Sequence, residues 1–322
     1  MQNRFSPFDH FDLDPKKCFL TGAPAAFFTP VFPEWMIERY GLQSRSVALP
    51  DGQPLPYAGI TLPCCQNVAE AISGLHEDMQ AVYDAGFSGV KKADPVALFR
   101  FHALILYGFI WHELRAAIRQ ESAAGSQFGL SHTLLQKFAN LHLMLQSLVR
   151  NTEFEEPYPW TMVAFPVSGG ADDFVFRDEI STLFLSIRTG STGILFLMLD
   201  AGLNEMYHRG RLKMIGENSL HPIQFEELNA LFLYSAYLMQ KPVGLSVMDS
   251  AETTFIEAEP VESIGGRPVF ESWIDKTYAQ VLENFWKPWQ ISQFEIRKDP
   301  DNTLSFLTGE NGSFLPPEKI PY

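Results

Sequence analysis

Residues 97–120 read ALFRFHALILYGFIWHELRAAIRQ. Apolar side chains fall on nearly every face of a helix here, so the segment is expected to run through the middle of a bundle. Asp94-Pro95 precedes it as an N-cap followed by proline at the first helical position. Upstream, Val68, Ile72, Leu75, Met79 and Val82 recur at helical spacing. Downstream, Ser131 opens HTLLQKFANLHLMLQSLVRN over 132–151. Further helices are expected over 178–187, over ILFLMLDAGLNEMYHRGRL (194–212), over HPIQFEELNALFLYSAYLMQK (221–241) and within FESWIDKTYAQVLENFWKPW (270–289). WTMVAFPVSGGADDFVFRDE (160–179) is the best case for strand or irregular structure, and 244–268 mixes β-formers with turn residues.

Residues 1–63 differ in character. TGAPAAFFTPVFPEW (21–35) and DGQPLPYAGITL (51–62) are rich in proline, glycine and aromatics, and proline resists helix interiors. They predict an irregular arm with one short helix over 33–40 and a small hairpin over 51–62. The expected fold is mostly α: a helical bundle over 64–322, an irregular N-terminal arm over 1–63, and a few short strands.

The chain has 322 residues, 46% of them hydrophobic, which is enough to bury a substantial core. With 24 basic against 38 acidic side chains, the net charge of −14 argues against nucleic-acid partners and against anionic membranes. Cys18, Cys64 and Cys65 cannot build a disulfide framework, and adjacent Cys64 and Cys65 lack a CxxC spacing. The opening MQNRFSPFDHFDLDP has no apolar core of a secretory signal, and the longest apolar run, 194–199, is too short to cross a bilayer. A cytoplasmic location is expected, and the reading allows a homodimer.

Standard nucleotide, metalloprotease and hydrolase motifs are absent from the sequence. Histidine is the conspicuous residue, at positions 10, 76, 102, 112, 132, 142, 208 and 221. Inward histidines on apolar helices can build metal or haem sites. His102 and His112 share one apolar helix and fall about 80° apart around its axis. Glu205 and His208 form a single ExxH, where a di-iron bundle needs two.

The string Arg188-TGSTG-ILFLMLDAGLNEMYHRGRL resembles the indoleamine/tryptophan dioxygenase superfamily of histidine-ligated haem proteins. In that superfamily a GSxG loop precedes a helix and a proximal His-Arg pair follows. The match covers about 30 residues, with a shorter gap between loop and histidine. The compact chain is most similar to the haem-dependent aromatic hydroxylases of that group. The resemblance implies haem b held through its iron by His208, with Arg209 beside it. It also implies that Gly190, Ser191, Thr192 and Gly193 touch a haem propionate or the substrate ammonium, and that Asp200 fills an acidic position. His102 or His112 would serve iron-bound oxygen. Arg188, in the spacing Phe184-LSI-Arg188, would clamp a substrate carboxylate, with Arg115 and Arg150 as rivals. The implied activity is an oxygenase or hydroxylase acting on a small aromatic amino acid or derivative, with molecular oxygen or peroxide as co-substrate. Two other readings stand beside it: a non-haem iron or di-iron oxidase built on Glu205 and His208, and a non-catalytic helical binding protein with structural histidines.

Overall fold

The computed structural model describes residues 4–9, 11, 13–126, 128–170, 173–261, 268–299, 302–309 and 311–322. His10 lies outside the described residues. The chain divides into two compact units, Met1–Pro157 with Leu245–Ala258, and Tyr158–Gly244 with Glu259–Tyr322. Neither division falls at the arm boundary expected near residue 63.

The first unit begins with β1 (Phe27–Pro30), α1 (Glu34–Arg39), β2 (Ser46–Ala48), β3 (Pro54–Pro56) and β4 (Thr61–Cys64). β1 pairs with β4 and β2 with β3, both antiparallel. The helices α2 (Gln66–Asp84), α3 (Gly86–Lys92), α4 (Pro95–Ala123) and α5 (His132–Leu145) follow, then β5 (Thr152–Phe154). The strand pair belonging to 245–258 adds a hairpin to β5, in the order given below. α4 is the expected central helix: from Leu98 to Trp111 every side chain but that of Arg100 is buried. The proline-rich arm packs on this helix through its aromatics. Phe19 meets Tyr107 at 5.3 Å between ring centroids, and Phe32 meets Phe109 at 6.2 Å.

α4 starts where its sequence says it should. Asp94 accepts hydrogen bonds from Val96 N at 3.1 Å and Ala97 N at 3.2 Å, and Pro95 occupies the first helical turn. Asp94→Ala removes both bonds and should cost about 1 kcal/mol. A thermal melt checks this, with a drop of a few degrees expected.

The second unit is built on four six-residue strands: β6 (Thr161–Pro166), β7 (Phe174–Glu179), β8 (Phe184–Thr189) and β9 (Thr192–Leu197). They form one antiparallel sheet in the order β6-β9-β8-β7. Against it lie α6 (Leu203–Ile215) and α7 (Pro222–Leu238). After β10 (Leu245–Asp249) and β11 (Thr254–Ala258), which give the first unit its sheet order β10-β11-β5, come α8 (Asp275–Trp286) and α9 (Gln293–Ile296). α7 is buried nearly all round. Gly193 of β9 lets it approach: a Cβ there would stand 2.6 Å from the Phe225 ring.

The protein is therefore mixed α and β, not mostly α: helix makes up 45% and strand 19% of the described residues. The error lies in two places. The stretch 178–187 is not a helix but the end of β7, a turn and most of β8. The stretch 194–199 is β9 and its exit, not the start of a helix. Every residue of β8 (FLSIRT) and β9 (TGILFL) is buried, so neither shows the alternation of apolar and polar positions that marks a half-buried strand, and Ile194–Leu197 is a short apolar run. Such short runs cannot be told from buried helix by periodicity. RTGSTG is their hairpin turn: Thr189 pairs with Thr192 across Gly190 and Ser191, and Gly190 takes φ +53°. Among the described residues no single helix is long and apolar enough to cross a membrane.

Candidate functional site

In the second unit a cavity of about 250 Å3 lies between α6, α7, the start of α8 and the chain over 302–308. Its floor is Glu227 of α7, 3% exposed. Two consecutive glutamates interrupt the apolar helix here. Burial of a carboxylate demands partners, and both have them. Glu226 accepts a hydrogen bond from Arg177 Nε at 3.1 Å. Glu227 accepts from Ser305 Oγ at 2.6 Å, Phe306 N at 2.7 Å and Leu307 N at 3.1 Å, so it holds the C-terminal segment in place. Burial pushes its carboxyl up to about 7, against the pull of those three donors and of the Arg211 charge.

Around Glu227 the cavity presents groups without such partners. The Tyr278 hydroxyl and Thr303 Oγ1 are buried, and neither has a hydrogen-bond partner among the described residues. Burial, followed by the Glu227 charge, keeps the Tyr278 hydroxyl protonated far beyond neutral pH. Arg211, exposed on α6, lines the same cavity. Trp273 closes one wall, with its ring 4.8 Å from that of Tyr278 and 4.5 Å from Tyr234, and its indole N–H donates to Asp275 at 3.2 Å. The site thus offers a cation, an aromatic wall and two unspent hydroxyls.

None of the residues singled out in the sequence lines this cavity. His102, in the first unit, is fully buried; its Nδ1 donates to Leu98 O at 2.7 Å and its Nε2 meets the Tyr83 hydroxyl at 2.7 Å. His112 Nε2 sits 2.9 Å from Thr61 O and 3.2 Å from Thr61 N, tying α4 to β4. Arg115 lies over the Trp111 ring at 5.9 Å. Arg150 lines an open polar depression of the first unit with 249–254. Arg188, in the second unit, is 8% exposed and donates to Asp173 at 2.8 Å across the β7–β8 pair, so it is already neutralised. Arg209 is exposed on α6. Gly190 and Ser191 are the hairpin turn, and Thr192 and Gly193 begin β9.

His208 is 1% exposed. Its Nε2 lies 2.9 Å from Ser235 Oγ, which itself donates to Asn204 Oδ1 at 2.6 Å. Asn204 in turn donates to Asp200, whose carboxylate also takes the Thr161 hydroxyl at 2.8 Å. With the serine proton committed to Asn204, His208 donates from Nε2 and stays neutral. Burial, followed by the Arg211 charge, lowers it to about 3. Its ring packs 4.7 Å from Phe232 and 5.0 Å from Tyr207.

These residues do not fit haem. His208 Nε2 is spent on Ser235; its Nδ1 has no hydrogen-bond partner among the described residues but is buried, with the rings of Phe232 and Tyr207 packed on the imidazole; and the GSTG segment is a β-turn inside a sheet instead of a donor loop at a helix start. Glu205 is exposed on α6, and no group of three or more His, Cys, Asp or Glu among the described residues could hold a metal ion. No family model matches the chain, and neither a curated protein nor a solved structure matches it.

Proposed function

We propose that the second unit binds a small aromatic carboxylate in the cavity bounded by Arg211, Glu227, Trp273 and Tyr278. The observation that carries this is the Tyr278 hydroxyl. It is buried at the cavity wall with no partner among the described residues, a condition that costs about 1–3 kcal/mol unless something fills it. A ligand acceptor would do so. Its ring would lie on Trp273 and its carboxylate would meet Arg211, the geometry an arginine fork suits best. The volume of about 250 Å3 lies just below the usual range of ligand cavities, which limits the guest to one ring.

Binding is favoured over catalysis because both Glu227 oxygens already accept hydrogen bonds. The free state of Cys18, Cys64 and Cys65 supports a reducing, cytoplasmic setting.

Calorimetric titration with phenylacetate and 4-hydroxyphenylacetate tests the reading, with phenylacetamide as the uncharged control. The acids should bind and the amide should not. Arg211→Ala should weaken the acids by about 1.5–3 kcal/mol, roughly tenfold to a hundredfold, as for a hydrogen bond to a charged group. Affinity should also fall as pH rises through about 7, because Glu227 then ionises beside the bound carboxylate. Equal affinity for acid and amide, or heats unchanged in Arg211→Ala, would sink the proposal.

A further inference from the structure

The polar groups around the cavity of the second unit are unequally served. Tyr234 and Tyr278 are neighbours, with ring centroids 5.9 Å apart. The Tyr234 hydroxyl is spent: it donates to Ile274 O at 3.3 Å and accepts from Ile274 N at 3.2 Å. Gln224, one turn before Glu227, is spent too, and its Nε2 donates to Phe306 O and Leu315 O at 2.7 Å each. The Tyr278 hydroxyl and Thr303 Oγ1 are buried as well, yet neither has a partner among the described residues. Both residues line the same cavity. A carboxylate on Arg211 and a bare ring on Trp273 would leave these two hydroxyls as they are, and a buried hydroxyl left unpaired is costly.

Resting on the reading of this cavity as the site of an aromatic carboxylate, we propose that the guest is a hydroxyphenyl acid, selected by Tyr278 and Thr303 through its ring hydroxyl. A phenolic oxygen has both faces this wall requires, because its lone pairs accept and its proton is donated. Tyr278 supplies the donor. Burial, followed by the Glu227 charge, keeps its hydroxyl protonated far beyond neutral pH, so that proton is present whenever the guest arrives. Thr303 Oγ1 accepts the proton of the guest hydroxyl. Tyr278 and Thr303 are then specificity-determining residues, while Arg211 and Trp273 bind any small aromatic acid. Discrimination of this kind comes from hydrogen bonds that the wrong guest leaves unmade, and it exceeds what a difference in shape alone provides.

Calorimetry on the full chain compares phenylacetate with its 3-hydroxy and 4-hydroxy derivatives and with the two matching fluoro acids. One hydroxy acid should bind about tenfold more tightly than phenylacetate, the order expected of two neutral hydrogen bonds. Its fluoro counterpart has no proton to give and should bind no more tightly than phenylacetate. This series uses the unaltered protein and needs no variant. Tyr278→Phe should then weaken the favoured hydroxy acid several-fold and leave phenylacetate as tight as before or tighter. Because it removes a hydroxyl without a partner, it should not lower the melting temperature. Thr303→Val should weaken the same acid through the other bond. Equal binding of phenylacetate and both hydroxy acids, or a preference that survives both variants, would overturn this inference while the Arg211-dependent binding of acids stands. If none of the acids binds, the inference falls together with the reading beneath it.

Discussion

Lowering the pH from 6.5 to 4 should strip the first unit of about 5 kcal/mol, much of what holds a domain folded. His102 and His142 are the cause. Both are buried, 0% and 1% exposed, and burial lowers each to about 4. His102 makes the two hydrogen bonds already described, and His142 Nε2 donates to Phe19 O at 2.8 Å. Neither has room to accept a proton without losing its setting or leaving a charge in an apolar core. The unfolded imidazole takes its proton near 6.5, so the unfolded state binds more protons throughout this window. The stability these groups contribute is fully present above 6.5 and is lost as pH falls toward 4. Each contributes up to about 3 kcal/mol. Amide hydrogen exchange along α4 and α5 reads this unit directly. Protection should fall steeply below pH 6, and protection unchanged between 6.5 and 4.5 would contradict the assignment.

Glu227→Ala should be nearly as damaging to the second unit. It would leave the Ser305 hydroxyl and the Phe306 and Leu307 N–H groups without their acceptor, and each orphaned buried donor costs about 1–3 kcal/mol. The segment that closes the cavity would come loose. Glu227→Gln behaves differently, because it resembles the protonated acid. The folded carboxyl titrates near 7 and the unfolded one near 4.3, so the wild type loses stability as pH rises through that interval. The glutamine variant does not, and should gain on the wild type by about 3 kcal/mol over the same range. Urea unfolding of wild type and both variants at pH 4.5 and 7.5 measures the difference. An alanine variant within 1 kcal/mol of wild type would show that Glu227 does not hold the segment.

The parts of the fold that the sequence discloses are those with local causes. Asp94-Pro95 starts α4, the spacing from Val68 onward makes α2, and Pro222 opens α7. The segment 160–179 contains β6 and β7, as its composition suggests. The β8–β9 hairpin went unread because burial on both faces erases the alternation that marks a strand. Its signal was nonetheless present: the apolar-rich segments FLSI and ILFL flank Arg188-TGSTG, with Gly190 and Ser191 at a two-residue hairpin spacing. The candidate site was legible only in part. FEEL within an apolar helix announces buried carboxylates that need partners. Nothing local tells that Ser305, Phe306 and Leu307 supply them, or that Tyr278 and Thr303 are left over beside them. Histidines drew attention through their chemistry, yet His102 pins α4 to Tyr83 of α2, and His112 and His142 pin their helices to the chain at Thr61 and Phe19. An imidazole can satisfy backbone carbonyls in a core as readily as it can bind a metal, and the sequence does not distinguish the two.

A ring that settles against Trp273 while its carboxylate meets Arg211 must leave its mark on the indole of Trp273. The chain has six tryptophans, hence six indole N–H resonances, and Trp273→Phe identifies the one that matters. That N–H donates to Asp275 at the cavity edge, so a ligand on the ring must perturb it. Titrating 4-hydroxyphenylacetate into labelled protein should move the Trp273 resonance in a saturable way, with the other five changing little, and the shift should vanish in Arg211→Ala. A Trp273 resonance that stays fixed while the acid binds, or that moves equally with 4-hydroxyphenylacetamide, would show that no ring and carboxylate are held between Trp273 and Arg211.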